Sequence, residues 1–180
     1  MAILLYRVDE RLIHGQVVVG WGNQLHPDRI VVVDDELADS SWEQELYGLG
    51  MPNGIEASFE NVAAARDRLA SWKNDAGRTI VLTRDIATMR RLGEGGGLSG
   101  EEVNIGGIHY APGRTGILSY VYLSGEERAE LANLAAEGVR VSARDVPGAR
   151  RVDVAHLLAN DRKPGAEMRG RGTGSREPKG

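Results

Sequence analysis

Short runs of apolar and β-branched residues alternate with segments of helical periodicity along most of the chain. Residues 30–33 and 80–82 are apolar without interruption, which is typical of strands covered on both faces. Between such runs, apolar residues recur every three or four positions, as in residues 61–72. This alternation predicts an α/β fold, with an open, mostly parallel sheet and helices on both faces, in three α/β/α layers.

The predicted elements cover most of the first 160 residues. The predicted strands are 3–8, 29–33, 55–59, 79–83, 103–105, 116–122 and 139–142. The predicted helices are 15–25, 41–47, 61–72, 86–92 and 124–136, with a short helical segment at 152–158. Ser124 and Glu127 have the spacing of a capping box at the start of the last full helix.

Composition and charge divide the chain into residues 1–160, predicted to form one domain, and a tail. Residues 161–180 are rich in Gly, Arg and Pro and lack apolar periodicity, so we expect a flexible tail, with an interaction arm as the alternative. The tail holds six Lys or Arg and three Asp or Glu, a charge of +3, within a net charge of −4. Residues 1–160 therefore carry −7, which argues against nucleic-acid binding.

The compartment is predicted from what the sequence lacks. There is no cysteine, which excludes disulfides and thiolate metal sites. No apolar run approaches the roughly 20 residues that a membrane span needs. The N-terminal segment has neither a basic flank nor a cleavage site, so no signal peptide is predicted. Together these features predict a cytoplasmic protein.

His14 stands between the first predicted strand and the first predicted helix, within residues 7–16, Arg-Val-Asp-Glu-Arg-Leu-Ile-His-Gly-Gln. Ligands of open α/β sheets bind outside the carboxyl ends of the strands, so this imidazole is expected on the rim that binds ligands. The amides of Gly15 and Gln16 would open the helix, and unpaired amides there attract anions. A phosphate carrier needs these features; the structural alternative is a loop histidine bonded to a nearby carbonyl.

Two further residues of the same turn extend this hypothesis. Arg11 is placed to hold phosphate oxygens with its forked guanidinium. Asp9 is expected to orient a ring nitrogen of His14 or to hold Arg11.

Residues 7–17 resemble the phosphorylation-site segment of enzyme IIB components of the mannose/fructose/sorbose-type phosphotransferase system (PTS). Residues 31–38 and 104–110, Val-Val-Val-Asp-Asp-Glu-Leu-Ala and Asn-Ile-Gly-Gly-Ile-His-Tyr, resemble two further segments of that family in order and spacing. The resemblance covers roughly residues 1–160. It implies that His14 receives a phosphoryl group from a IIA phosphohistidine and passes it to a sugar, without a metal or another cofactor.

The same resemblance implies partners. The phosphoryl group would leave during uptake through the membrane components IIC and IID, which would bring the chain to the inner face of the membrane. Members of the family often form oligomers, so a homo-oligomer stays open. The alternative function is a regulatory or binding protein on the same fold that is not coupled to sugar transport.

Other candidates are placed on the same rim. Thr83 is predicted to donate its hydroxyl to phosphate, and Arg84 to face an acidic partner; a helix cap with a surface charge is the alternative. Arg7 is predicted to add to a basic surface that faces the partner. Asp34 and Asp35 follow the second strand and form either a helix-capping pair or a metal site.

The remaining histidines are weaker candidates. His109 follows a Gly-Gly turn and is predicted to be structural or to face the rim. The four histidines of the chain have no metal-ligand spacing.

Overall fold

The computed structural model describes residues 2–159 of the chain, so the predicted tail lies outside the described residues. The strands are β1 (Ile3–Val8), β2 (Arg29–Val33), β3 (Glu56–Glu60), β4 (Thr79–Thr83), β5 (Glu102–Ile105), β6 (Thr115–Leu118), β7 (Val121–Leu123), β8 (Arg140–Ala143) and β9 (Val152–Asp153). A π-helical segment (Gln16–Trp21) continues into α1 (Gly22–Leu25), followed by α2 (Asp35–Ala38), α3 (Ser41–Leu49), α4 (Val62–Asn74), α5 (Ile86–Gly93), α6 (Gly125–Ala136) and α7 (Val154–Ala159).

The main sheet has the strand order β3-β2-β4-β1-β5-β8-β9. All its neighbouring strands pair in parallel except β9, which is antiparallel to β8. The predicted open, mostly parallel sheet is confirmed.

One predicted strand is wrong. Residues 116–122 do not form a single strand: β6 and β7 fold into a separate antiparallel pair. Both edges of β5 are occupied, by β1 and β8, so this segment pairs with itself. It also exchanges hydrogen bonds with Ile108, whose amide donates to the Tyr120 carbonyl at 2.9 Å and whose carbonyl accepts from the Tyr122 amide at 2.9 Å.

Each face of the sheet carries its own apolar core. On one face, helices α4 to α7 cover buried side chains that include Val31, Val33 and Val81. On the other face, the π-helical segment and α2 cover Ile30, Val32 and other residues of the neighbouring strands. Burial on both faces accounts for the uninterrupted apolar runs and gives the predicted three layers.

Helix caps are present, among them the predicted capping box. The side chain of Asp85 accepts a hydrogen bond from the Thr88 amide at 2.7 Å, and Ser124 with Glu127 forms the capping box. Gly138, with a φ of +86°, follows α6 and ends it, because a left-handed residue cannot continue the helix. No helix within residues 2–159 is long and apolar enough to cross a membrane.

The topology places a crevice at the carboxyl ends of the strands, between β1 and β5. The chain leaves β1 towards β2 but leaves β5 towards β8, so the connections diverge between these two adjacent strands. Ligands of open α/β sheets bind at such a divergence. The loop after β1, which contains His14, lies at this point.

Candidate active site

The loop after β1 is fixed by main-chain hydrogen bonds to both neighbouring strands. The Asp9 amide donates to the Thr83 carbonyl at 3.0 Å, and the Glu10 amide donates to the Gly107 carbonyl at 2.9 Å. Leu12 has a φ of +54°, in the left-handed region that a bulky residue rarely adopts, and its side chain is fully buried. Packing of Leu12 therefore holds the turn that presents His14.

His14 is largely covered, with 16% of its side chain exposed, and both ring nitrogens face oxygen atoms. Nδ1 lies 2.9 Å from the carbonyl oxygen of Leu12. Nε2 lies 3.4 Å from Oε1 of Gln16 and 3.7 Å from Oδ2 of Asp9. Both nitrogens thus face acceptors, and the shorter contact, to the Leu12 carbonyl, favours Nδ1 as the nitrogen that carries the hydrogen of a neutral ring. The expected carbonyl contact of a loop histidine is thus present beside groups suited to phosphate.

The helix start next to His14 presents free donors. The amides of Val17 and Val18 both bond the His14 carbonyl, at 2.9 and 3.0 Å. The amides of Gly15 and Gln16 have no hydrogen-bond acceptor within residues 2–159. A Cβ atom added to Gly15 would have no atom within 4 Å apart from the two adjoining residues, so the turn is open on the side of that Cβ. An anion on the imidazole would find both donors and room there.

Arg11 brings a cation to the same place. Its side chain is 39% exposed, and its Nη2 donates to Gln16 Oε1 at 2.6 Å. Oδ1 of Asp9 accepts from the Arg11 amide at 3.1 Å and from Nε at 3.4 Å. Asp9 therefore contacts both groups that it was predicted to serve, Arg11 and the His14 ring.

Asp9 itself is completely buried. Its Oδ2 accepts from Arg7 Nη2 at 2.9 Å and from the Gly107 amide at 3.1 Å. Burial alone would raise the pKa of Asp9, but the charge of Arg7 and the Gly107 amide outweigh it, so the pKa lies below its ordinary value. The carboxylate is therefore ionised at neutral pH.

Arg7 does not face a partner, and that prediction is wrong. Its side chain is fully buried, with the guanidinium 5.7 Å from the ring centre of Trp21. Besides Asp9, it donates to Oδ1 of Asn104 and to the carbonyls of Arg144, at 2.9 Å, and Asp145, at 3.1 Å. β1 is a central strand, so its side chains point into the protein rather than into solvent.

Thr83 is also placed differently from its prediction. It is fully buried, and its hydroxyl donates to the Asp85 carbonyl at 3.0 Å, so it is not available to bind phosphate. Arg84 remains 42% exposed, and its Nε donates to Asp34 Oδ2 at 2.9 Å. Of the two alternatives, the helix-boundary role fits Thr83, while the partner-facing role of Arg84 stays a prediction.

Asp34 and Asp35 cap helices. Oδ1 of Asp34 accepts from the Leu37 amide at 2.9 Å, and Oδ1 of Asp35 accepts from the Val62 amide at 2.8 Å. Across residues 2–159, no group of His, Asp and Glu side chains is arranged to hold a metal ion.

Glu10 was missed by the sequence reasoning. Its Oε2 accepts from both the amide and Nδ1 of His109, each at 2.9 Å, and its Oε1 accepts from Arg114 at 2.5 Å. His109 is 53% exposed, in keeping with its expected place at the rim. The charge pattern of residues 9–11 gave no sign of this contact, because its partners lie about a hundred residues later.

Known proteins are similar to this chain in sequence and in fold. A model of the PTS system sorbose subfamily IIB component matches residues 3–168. The N-acetylgalactosamine-specific phosphotransferase enzyme IIB component 1 of Escherichia coli (strain K12) is 33% identical over 147 residues, 81% of this chain and 92% of that protein. The PTS system mannose-specific EIIAB component of the same strain is 32% identical over 146 residues, and the chain spans 45% of its length.

A solved structure leads to the same family. The crystal structure of the PTS system N-acetylgalactosamine-specific IIB component 1 from Escherichia coli has a TM-score of 0.74 and 32% identity, covering 84% of this chain and 98% of that one. These matches confirm the resemblance of the chain to this family. The chain therefore belongs to the sorbose subfamily of PTS IIB components.

Proposed function

We propose that His14 accepts a phosphoryl group from the phosphohistidine of a IIA protein and passes it to a sugar during uptake. The convergence at one rim position of the His14 ring, the Arg11 guanidinium and two unpaired amides supports this proposal most directly. Family membership supports it as well, because the relatives of this chain are sugar-specific IIB components of the phosphotransferase system.

Phosphoryl transfer of this kind requires little acid–base catalysis. In the first step the P–N bond of the donor histidine breaks as a P–N bond to a His14 ring nitrogen forms. In the second step that bond breaks as a P–O bond to a sugar hydroxyl forms, and the hydroxyl proton is released while the His14 nitrogen regains its lone pair. Such transfers depend on alignment and on stabilisation of charge on the phosphoryl oxygens. Arg11 and the amides of Gly15 and Gln16 provide that positive charge, and Asp9 holds Arg11 and the ring in place.

The proposal also includes the partners of the chain and its location in the cell. The mannose-specific relative is named an EIIAB component, which supports a IIA protein as the donor for this chain. The acceptor complex is proposed to consist of the membrane components IIC and IID, with the chain working in the cytoplasm at the inner face of the membrane. Relatives are named for N-acetylgalactosamine, mannose, fructose and sorbose, so the acceptor is proposed to be a hexose or an amino sugar.

The test is transfer of labelled phosphate from a phosphorylated mannose-type IIA protein to the purified chain, followed by mapping of the acid-labile label. Wild type and His109→Ala should both be labelled, and His14→Ala should not. His109→Ala is the matched control, because it removes an imidazole from the same rim. Label retained by His14→Ala, or no label on wild type, would contradict the proposal.

A further inference from the structure

The most completely buried cation of the described chain lies directly beneath the proposed site. The Arg7 guanidinium is enclosed by the end of β5 and by the loop after β8. Its donors reach the side chain of Asn104 and the carbonyls of Arg144 and Asp145, in addition to Asp9. Arg7 thus joins the loop that carries His14 to two other segments of the rim.

The glycine turn after β5 is shaped around this cation. A Cβ atom on Gly106 would lie 2.4 Å from Cζ and from Nη2 of Arg7, far inside contact distance. A Cβ atom on Gly107 would lie 3.1 Å from Nη2 of Arg11, and the Gly107 amide bonds Asp9. Glycine at these two positions lets the backbone pass directly over both guanidinium groups and the carboxylate between them.

A gain in folding stability is a poor explanation for a buried ion pair of this kind. Removing two charges from water costs several kcal/mol per ion, and apolar residues of similar volume often serve stability as well or better. Burial lowers the pKa of Arg7 below its ordinary value, and the neighbouring Asp9 carboxylate opposes part of this shift. The two charges therefore depend on each other, and their position suggests a role in the site above them.

We propose that Arg7 is a positioning residue for phosphoryl transfer and acts on His14 and Arg11 through Asp9. One oxygen of Asp9 is held by Arg7 and faces His14 Nε2 at 3.7 Å, while the other accepts two hydrogen bonds from Arg11. Arg7 thereby fixes the carboxylate from below, and the carboxylate fixes the two groups that would contact the phosphoryl group. Arg7 also offsets the negative charge of Asp9, which would otherwise repel an incoming phosphoryl group. This inference rests on the proposed function of His14.

The test compares Arg7→Met with Leu134→Ala in single-turnover transfer from phosphorylated IIA, over a range of donor concentrations. Leu134 is a fully buried residue of α6, so its truncation lowers the melting temperature without touching the site. Both variants are assayed at a temperature at which circular dichroism shows them folded.

Arg7→Met should lower the maximal rate about 100-fold, the scale of misplaced reacting groups. Its half-saturating donor concentration should stay within about twofold of wild type, because Arg7 is not at the surface. Leu134→Ala should keep the maximal rate.

A second variant covers the case in which Arg7→Met does not fold. Gly106→Ala keeps every charge but displaces the Arg7 guanidinium, and it should show the same loss of maximal rate with unchanged half-saturation. A folded Arg7→Met or Gly106→Ala that transfers at the wild-type rate would overturn the inference, as would an equal loss in Leu134→Ala. Failure of the proposed function looks different, because wild type itself would then take no label on His14.

Discussion

The Nδ1 atom of His14 lies 2.9 Å from the carbonyl oxygen of Leu12, two residues earlier in the chain. The orientation of the imidazole is thus set by the main chain of its own turn. That turn depends on the left-handed backbone of Leu12, whose side chain is buried in the core beneath the π-helical segment. The resting state of the ring can therefore be predicted from backbone geometry.

We predict that neutral His14 carries its proton on Nδ1 in the unphosphorylated protein. The carbonyl of Leu12 can only accept, whereas Nε2 has no neighbour closer than 3.4 Å. Nitrogen-15 chemical shifts of the histidine rings, measured above the titration range and assigned with His14→Gln, check this. A His14 ring protonated on Nε2 would contradict the prediction.

Asp9→Asn should destabilise the fold by about 3–5 kcal/mol at neutral pH, because Arg7 is left as a buried charge without its partner. The folded-state pKa of Asp9 is lowered, so its stabilising contribution is fully present above the unfolded pKa of about 3.9 and is lost as the pH falls through the folded value. The stability difference from wild type should therefore shrink in acid.

Urea unfolding of wild type and Asp9→Asn at neutral pH and below pH ~4 measures this difference. Asp67→Asn, at an exposed position of α4, is the control and should match wild type. An Asp9→Asn protein as stable as wild type at neutral pH would be incompatible with an ionised Asp9.

Arg11→Lys should slow phosphoryl transfer about 10- to 100-fold, the equivalent of one charge-assisted hydrogen bond of about 1.5–3 kcal/mol. A lysine keeps the charge but cannot reproduce the forked donors that meet Gln16 and Asp9. The melting temperature should change little, because Arg11 is 39% exposed. Stopped-time transfer assays measure the rate, and unchanged kinetics would remove Arg11 from the phosphate site.

The Gly15→Ala variant should slow phosphoryl transfer without destabilising the fold. The backbone of Gly15 is helical, with a φ of −52°, and an added Cβ meets nothing within 4 Å, so stability should be equal or higher by up to about 1 kcal/mol. The methyl group would nevertheless occupy space proposed for the phosphoryl group, and transfer should fall at least about tenfold. A wild-type rate in this variant would show that the phosphoryl group is bound elsewhere.

Arg84→Glu should lower the rate of phosphorylation by IIA more at low salt than at high salt. Arg84 is 42% exposed on the rim beside Trp42 and Leu46, two exposed apolar residues of α3, and it pairs with Asp34. The substitution would place a second acid beside Asp34 and reverse the charge that is proposed to steer an acidic partner. Arg140→Glu, with the same charge change at the amino end of β8, the opposite end of the strands from the rim, is the control. A defect independent of ionic strength would place Arg84 in the site itself, and no defect would remove it from the interface.

The layers of the fold and the place of His14 follow from local sequence. Strand and helix periodicities are properties of neighbouring residues, and they locate the turn between Val8 and Gln16 without any tertiary information. The capping role of Asp34 was among the alternatives for the same reason, since its partner, the Leu37 amide, lies three residues away. Asp35 differs, because it caps α4 through the Val62 amide, 27 residues later.

Arg7 and Thr83 show where such reasoning fails. Arg7 donates to Asn104 and to carbonyls more than 130 residues later, so nothing near it in the chain indicates that its charge is buried. Thr83 ends β4, and the local sequence does not indicate that β1 and β2 enclose this strand on both sides. Long-range pairing, rather than local pattern, decides which polar side chains of a rim meet solvent.

The π-helical segment that follows His14 has a consequence for how this site can vary. Its hydrogen bonds reach five residues back, as from the Gly22 amide to the Val17 carbonyl, so its turns hold more residues than α-helical turns. A deletion of one residue there would restore ordinary winding and keep the direction of the flanking turns nearly unchanged, because the wide turn spreads about one residue more over the same rotation. The apolar core therefore constrains the buried stripe of Val17, Val18 and Trp21 more than it constrains the number of residues in the wide turn that follows His14.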